Sequence, residues 1–398
     1  MDRPDEACAG WGRSSAARTP RSIPRPSGFR MKRWVKIGSL QAGVQRGVWG
    51  AGGLALFLFA LLLMRAGAAH LTPTLAEAGK LPSPWRSLGL GWLMACLALS
   101  GSPVAAAAVS LQDAHVLSPA ATLTMLTGSR LGASFVLFVI GLSYAWRRGH
   151  PWHSLTAGFV TFWVTATTYF PATALGLFLL PHMPVPWIAR WRPPFLPALL
   201  EPFRAPVQVV EGILRSGMSR GLGKPPPESA IGVSLFLLGF FLIGIALQAL
   251  DRAIPLPRLT PPEADPAPDS PWPTFGLGLA VTALTMSVSV SIGLLVPSVT
   301  RGWIRREQLI PYVMGANIST FIDTLLAALA LGNPAAVGVV LTEMISVTVI
   351  SAGILFAGYR WYRGLLIRVF EIMVEHRVLA GFFPIAFLGL PLILLWRG

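Results

Sequence analysis

The feature that most constrains this chain is its series of long stretches without a charged residue. Three of them, 47–64, 229–250 and 378–396, have the length of one membrane-crossing helix, which needs about 20 apolar residues. Only 12% of all residues are charged, 53% are hydrophobic, and the mean hydropathy is +0.61. A soluble protein cannot cover so much apolar surface. The sequence therefore predicts an all-α, polytopic protein of the lipid bilayer.

Two other apolar stretches, 87–130 and 274–322, differ from simple spans. Each is long and rich in small residues, and polar positions interrupt it. Non-helical backbone is tolerated at membrane depth only where protein buries it or where it lines a cavity. Transporters place such breaks at their binding sites. Both stretches are therefore predicted to be broken or re-entrant helical hairpins.

The positive charge is concentrated at the start of the chain. Residues 1–46 hold ten Lys or Arg and three acids, and we expect them to form a disordered, basic, cytoplasmic segment. Met31 opens a more natural translational start, so the chain is hypothesised to begin there. Cytoplasmic segments of membrane proteins usually carry an excess of Lys and Arg, so this basic segment gives no reason to predict binding to nucleic acid.

The sequence also contains a weak internal repeat. The apolar segment 55–71 resembles 234–250, and further along Ser100-Gly-Ser102 aligns with Ser287-Val-Ser289 at a spacing of 187 residues. The same spacing aligns Gly128-Ser-Arg130 with Gly315-Ala-Asn317. Shared order predicts duplicated halves, each with an apolar helix, a Ser-rich break and a Gly-containing turn. The predicted divisions are a first repeat at 47–180, a polar connecting loop at 181–229, a second repeat at 230–357, and a linker with a final transmembrane helix at 358–398.

Two rules conflict on the orientation of these parts. Charge counting places both 1–46 and 181–229 inside the cell and 251–273 outside. Inverted repeats require the similar helices 55–71 and 234–250 to cross in opposite directions, which reverses the two later placements. Because long loops weaken the charge rule, the inverted arrangement is preferred.

The motifs resemble those of a known family. MSVSVSIGLLVP, followed by RREQLIPYVMGANISTFIDTLLAAL, is similar to the second repeat of type II sodium–phosphate cotransporters, and LSGSPVAAAAV with TGSRLGAS is similar to a degenerate first repeat. The family carries a QSSS-type and a GANIGTT-type motif in each inverted repeat. Leu99 and Met286 stand in place of the two Gln residues, Gly101 and Val288 replace the central serines, and Arg130 stands in place of an Asn.

The resemblance implies a substrate site in which serines of the two repeats face each other around an anion. Hydroxyls and helix N-termini can replace the water that phosphate sheds. The alternative is that these serines only ease helix packing. The predicted substrate-binding residues are Ser100, Ser102, Arg130, Ser287, Ser289 and Ser291.

A cation site is implied near the second GAN-type motif. Neutral side-chain oxygens suit sodium, the candidate coupling ion. The alternative is that the residues of this motif cap a helix. The predicted ion-binding residues are Asn317, Ser319, Thr320 and Asp323.

Arg130, Asp323 and Glu343 are charged residues between apolar stretches. Such an arginine is costly unless it is paired or faces water, so Arg130 is predicted to be a fixed positive charge or an anion clamp; the alternative is that it snorkels to the membrane surface. Arg130 is hypothesised to pair with Asp323 or Glu343 across the repeat interface, and Glu343 is a candidate proton or charge relay. An interfacial pair without functional consequence is the alternative.

These patterns together predict a secondary transporter resembling sodium-coupled phosphate symporters, in the plasma membrane of a prokaryote. The expected partners are phosphate or another small anion, sodium or protons, and lipid; an enzyme, a metal centre and an organic cofactor are not expected, and the oligomeric state is open. One alternative is a transporter that couples another anion to protons. A second is a membrane scaffold or sensor that keeps the fold without transport.

Overall fold

A computed structural model describes residues 31–77, 83–140, 151–184, 196–253, 270–285, 291 and 306–397. Within these ranges the chain is helical and contains no strand. Six of the described helical stretches are long and apolar enough to cross a membrane, the first at Gly43–Thr74 and the last at Pro334–Met373. The predicted all-α membrane architecture is confirmed.

In the first repeat, a polar residue followed by proline starts two of the helices. Ser83 caps α2 by accepting a hydrogen bond from the backbone N–H of Arg86, and Ser118 caps α4 through Ala121. The described helices of this repeat are α1 (Met31–Glu77), α2 (Pro84–Ala98), α3 (Ser102–Asp113), α4 (Pro119–Ala133) and α5 (Pro151–Leu179).

The remainder of the chain uses the same start signal at Asn333, whose side chain accepts hydrogen bonds from two backbone N–H groups of the first turn that follows it. The described helices here are α6 (Leu196–Leu222), α7 (Glu228–Ala253), α8 (Trp272–Thr285), α9 (Arg306–Ser319), α10 (Phe321–Leu331), α11 (Pro334–Gly353), α12 (Tyr359–Glu375) and α13 (Arg377–Arg397). A π-helical turn, Ile354–Gly358, joins α11 to α12.

The first apolar stretch with polar interruptions is a broken helix. Leu99 adopts a left-handed conformation (φ 50°) that ends α2, and α3 starts three residues later with Ser102 and Pro103. Proline fits the first turn of a helix but lacks the N–H that a continuing helix would need. The predicted break is confirmed. In the second stretch, Thr320 separates α9 from α10. Residues 286–290 and 292–305 of this stretch lie outside the described part.

Two glycines let α2 and α4 approach each other at backbone distance. A Cβ atom on Gly91 would lie 2.3 Å from the carbonyl oxygen of Met125, and one on Gly128 would lie 2.1 Å from that of Leu88. Small residues at such crossings are how membrane helices pack closely. Gly91 contacts Met125, and further along both helices Ala95 contacts Gly132, so α2 and α4 run parallel.

The same crossing recurs in the second repeat, 187 residues later. A Cβ atom on Gly278 would lie 2.1 Å from the carbonyl oxygen of Tyr312, and one on Gly315 would lie 2.1 Å from that of Phe275. All four positions equal those of the first crossing plus the predicted spacing. The repeat is therefore structural. The predicted Gly-containing turn is wrong, because Gly128 and Gly315 lie inside α4 and α9, where the lack of a side chain serves the crossing.

The first helices of the two repeats run antiparallel. Gly53 of α1 contacts Leu250 near the end of α7, and Gly67 contacts the backbone of Gly232 and Phe236 near its start. Two similar helices that cross in opposite directions are what inverted repeats require. The antiparallel pairing of α1 and α7 agrees with inverted repeats, and the membrane sides of 181–229 and 251–273 stay predictions.

Three predicted boundaries need correction. The segment expected to be disordered up to residue 46 is helical from Met31, because 31–46 contain no proline and continue into the apolar part of α1. The segment 181–229, predicted to be a polar connecting loop, contains the helix α6. The linker after residue 358 is the helix α12.

Candidate functional site

Arg130 of α4 reaches from the first repeat into the second. One guanidinium nitrogen, Nη1, donates to Thr320 Oγ1 (3.2 Å), and the other, Nη2, donates to Thr324 Oγ1 (2.9 Å) and to the Thr320 carbonyl (3.4 Å). The guanidinium carbon also lies 4.7 Å from the ring centre of Phe321. Only 5% of the residue is exposed. Arg130 is therefore held inside the protein and does not snorkel to its surface.

Asp323 is the carboxylate closest to this guanidinium. Arg130 Nη2 lies 3.9 Å from Asp323 Oδ1, which also accepts hydrogen bonds from the backbone N–H and the hydroxyl of Thr324. The hydroxyl of Ser102, at the start of α3, lies against the same carboxylate. Of the two partners predicted for Arg130, Asp323 is the one within ion-pair distance, and the pair joins α4 of the first repeat to α10 of the second.

A small cavity lies beside Arg130, between the break after α2 and the end of α9. Its volume of about 20 Å³ is enough for one water molecule, which needs about 10–15 Å³ by the same measure. A phosphate ion has five heavy atoms and does not fit without movement of the walls. The lining residues are Ser100, Gly101, Ser102, Arg130, Ala133, Ser134, Thr161, Thr165, Asn317 and Thr320.

The predicted serines divide into three groups. Ser100 and Ser102 line the cavity, with Ser102 in the first turn of α3. Ser287 and Ser289 lie outside the described residues. Ser291 is buried, but its hydroxyl lies 2.6 Å from that of Thr282 and 2.8 Å from that of Tyr312, away from the cavity lining. The structure thus brings the first serine pair to the cavity and uses Ser291 for packing.

The predicted cation ligands are also only partly together. Asn317 lines the cavity and donates from Nδ2 to Thr165 Oγ1 (3.1 Å), and Thr320 lines it beside Arg130. Ser319 points back along α9 and donates to the carbonyl oxygens of Gly315 or Ala316. Thr320 precedes α10 without making a side-chain cap. The side chains of Asn317 and Thr320 therefore serve the repeat interface instead of capping a helix.

Helix α5 supplies hydroxyls that the motifs did not predict. Thr161 and Thr165, four residues apart on one face, line the cavity, and Tyr169 one turn later donates to the carbonyl oxygen of Asn317 (2.9 Å). The Thr161 hydroxyl has no hydrogen-bond partner among the described residues, and the same holds for Arg130 Nε. The signal in the sequence was this i, i+4 spacing of hydroxyl residues within an otherwise apolar run.

Glu343 of α11 lies apart from the cavity. Its side chain is fully buried, and Oε1 lies 2.8 Å from Thr127 Oγ1, one turn before Arg130 on α4. Among the described residues, no Lys, Arg or His nitrogen lies within 4.0 Å of its carboxyl group. Glu343 is therefore not the ion-pair partner of Arg130.

Comparison with known proteins gave no relative. No protein-family model, no curated protein sequence and no solved structure matches the chain.

Proposed function

We propose that this chain is a secondary transporter that moves a small oxyanion, with phosphate as the expected substrate, through the cavity beside Arg130. The observation that carries the proposal is the position of Arg130: a buried guanidinium from one inverted repeat binds hydroxyls of the other, at a cavity between two interrupted helices. Ionisable residues inside membrane helices are costly, and they commonly mark substrate or ion pathways.

The chemistry of the cavity lining suits an oxyanion. Planar guanidinium groups bind phosphate and carboxylate with two parallel hydrogen bonds. Arg130 Nε and the Thr161 hydroxyl are buried donors that no described residue uses, and Ser100 and Ser102 stand at the N-terminal end of α3, where backbone dipoles favour negative charge. Rotation of Arg130 away from Thr320 and Thr324 would release further donors to the substrate.

The cavity volume and the charges suggest how transport proceeds. With about 20 Å³ beside Arg130, the described arrangement has room for a water molecule but not for phosphate, so substrate entry requires one repeat to move against the other, as in alternating access. Arg130 and Asp323 together are neutral, so a phosphate dianion adds uncompensated charge. A coupled cation, sodium or a proton, would offset that charge.

The test is uptake of labelled phosphate into proteoliposomes, with an inward sodium gradient, with a proton gradient, and with neither. We expect accumulation under at least one gradient and competition by other tetrahedral oxyanions. Arg130→Met should raise the half-saturating phosphate concentration about tenfold or more, because a hydrogen bond to a charged group contributes about 1.5–3 kcal/mol. Arg204→Met is the matched control, since Arg204 is exposed and pairs with Glu201 on its own helix.

Two results would contradict the proposal. One is a folded protein that neither transports phosphate nor is stabilised against heat by it, as expected of a scaffold or sensor. The other is phosphate uptake that Arg130→Met leaves unchanged. The plasma membrane of a prokaryote is the expected location, and fractionation of the native host would test it.

A further inference from the structure

Four oxygen atoms form a continuous chain from α11 through α4 to α5. Glu343 Oε1 lies 2.8 Å from Thr127 Oγ1, and Thr127 Oγ1 lies 2.6 Å from Thr173 Oγ1. Thr173 Oγ1 donates to the carbonyl oxygen of Tyr169 at 2.8 Å. All three distances are typical of hydrogen bonds between oxygens.

The hydroxyl protons along this chain favour a neutral Glu343. Thr127 is placed to donate to Glu343 Oε1, and Thr173 to the carbonyl oxygen of Tyr169. Each hydroxyl has one proton, so with an ionised Glu343 the 2.6 Å contact between Thr127 and Thr173 competes for a proton already in use. A proton on the carboxyl group, donated to Thr127, makes all three contacts hydrogen bonds at once.

The surroundings of Glu343 also favour the neutral acid. The residue is 0% exposed, and Oε2 has no hydrogen-bond partner among the described residues. An ionised carboxylate buried without a cation is very costly. The charged or titratable groups that face this region from the helices packed against α11 are Arg130 on α4, Tyr169 on α5 and Asp323 on α10. Arg130 already pairs with Asp323 and donates hydrogen bonds to Thr320 and Thr324.

We infer that Glu343 is the proton-binding site of the transporter, and that a proton carried there is the cation coupled to oxyanion movement. This inference rests on the proposed function. Glu343 belongs to the second repeat, whereas Thr127 and Thr173 belong to the first. Movement of one repeat against the other breaks the oxygen chain and admits water, so the O–H bond of the acid breaks and its proton passes to water on the side that has opened. Return to the closed arrangement requires a proton from the water on the side then open.

The position of Glu343 links the proton to the substrate. Thr127 precedes Arg130 by three residues and therefore lies on the same face of α4. A displacement of α4 that frees the guanidinium for an oxyanion also disturbs the contact with Glu343. Glu343 Oε2 and the Ser346 hydroxyl, which have no hydrogen-bond partner among the described residues, both border Gly176 of α5, where a Cβ atom would lie 3.5 Å and 3.3 Å from them. The missing side chain of Gly176 lets α5 approach this side of the acid.

Infrared spectroscopy of the protein in lipid tests the protonation directly. At neutral pH we expect the carbonyl stretching band of a protonated carboxylic acid, shielded from rapid hydrogen–deuterium exchange. Glu343→Gln should remove that band, Thr127→Val should shift it to higher frequency because Oε1 loses its partner, and Asp323→Asn should leave it in place. A band that is absent from the unsubstituted protein, or that survives Glu343→Gln, would overturn the inference.

Transport measurements test the coupling. Glutamine mimics the protonated acid, so Glu343→Gln should retain phosphate exchange between equal pools while accumulation driven by a proton gradient falls to that of protein-free vesicles. Thr348→Val is the control on the same helix, since Thr348 is exposed and bonds only a carbonyl of α11. Undiminished proton-driven accumulation by Glu343→Gln would refute proton binding at Glu343. If the unsubstituted protein moves no phosphate, the coupling fails with the proposed function, and the infrared band still decides whether Glu343 holds a proton.

Discussion

At the scale of single residues, Arg130 and Asp323 should stabilise the fold only as a pair. Removal of one member leaves a buried charge without its partner, which costs about 3–5 kcal/mol. We expect Arg130→Met and Asp323→Asn each to lower the unfolding free energy by that order, and the double variant to lose much less than the sum. Arg65→Met is the comparison, because Arg65 pairs with Asp113 at 2.9 Å but is 47% exposed. Thermal and denaturant unfolding in detergent would measure this, and additive losses would mean that the two charges do not interact.

The sequence predicted the charged members of this site and the motif residues Ser100, Ser102, Asn317 and Thr320, but not the hydroxyls of α5. Arg130 and Asp323 could be singled out because a charge in an apolar stretch demands a partner. Thr161 and Thr165 could not, because threonine hydroxyls in a membrane helix usually bond their own backbone, as Thr168 does here. Only the approach of α5 to the end of α9 shows that two of these hydroxyls face a cavity. The same limit applies to Ser291, whose partner Tyr312 lies in another helix.

At the scale of helices, the two glycine crossings should be intolerant of any side chain. An alanine at Gly128 or Gly315 would place its Cβ atom 2.1 Å from a backbone carbonyl oxygen of the neighbouring helix. The helices must separate, and such overpacking costs about 1–3 kcal/mol. Gly276→Ala is the matched control in α8, since nothing lies within 4 Å of a Cβ atom there. Thermal unfolding of the three variants measures the effect, and a Gly315→Ala variant as stable as Gly276→Ala would contradict the close crossing.

Several helix starts carry a local sequence signal, whereas the close helix crossings do not. A polar residue followed by proline begins the helices at Pro84, Pro119 and Pro334. The glycines of the GAN-type motifs were assigned to turns because glycine is common both in turns and at close helix crossings. Local sequence cannot separate these two uses, whereas the matched spacing of Gly91 and Gly278 to their crossing partners does.

At the scale of the whole molecule, the two ends of the paired helices α1 and α7 carry different polar contacts. Where α1 ends and α7 begins, His70 lies between Glu211 (3.2 Å) and Glu228 (3.0 Å), and Arg215 of α6 binds both oxygens of Glu228. At the opposite end, Arg252 lies over the ring of Trp49. Helix α6 therefore belongs to the side on which α1 ends. A single crossing by α1 predicts that 1–46 and α6 lie on opposite sides, whereas charge counting predicts that 1–46 and 181–229 lie on the same side.

This arrangement predicts the sidedness of labelling. In a Cys8→Ser/Cys96→Ala background, a cysteine at Ser216 of α6 and one at Arg252 of α7 should react with a membrane-impermeant maleimide from opposite sides of intact cells or sealed vesicles. The reason is that α7 is long enough to span the bilayer and its start is tied to α6 through Arg215 and Glu228. Ser216 should be labelled from outside if the basic start of the chain is cytoplasmic. Permeabilised membranes give the control in which both cysteines react, and labelling of both from one side would show that α7 does not cross and that the repeats are not inverted.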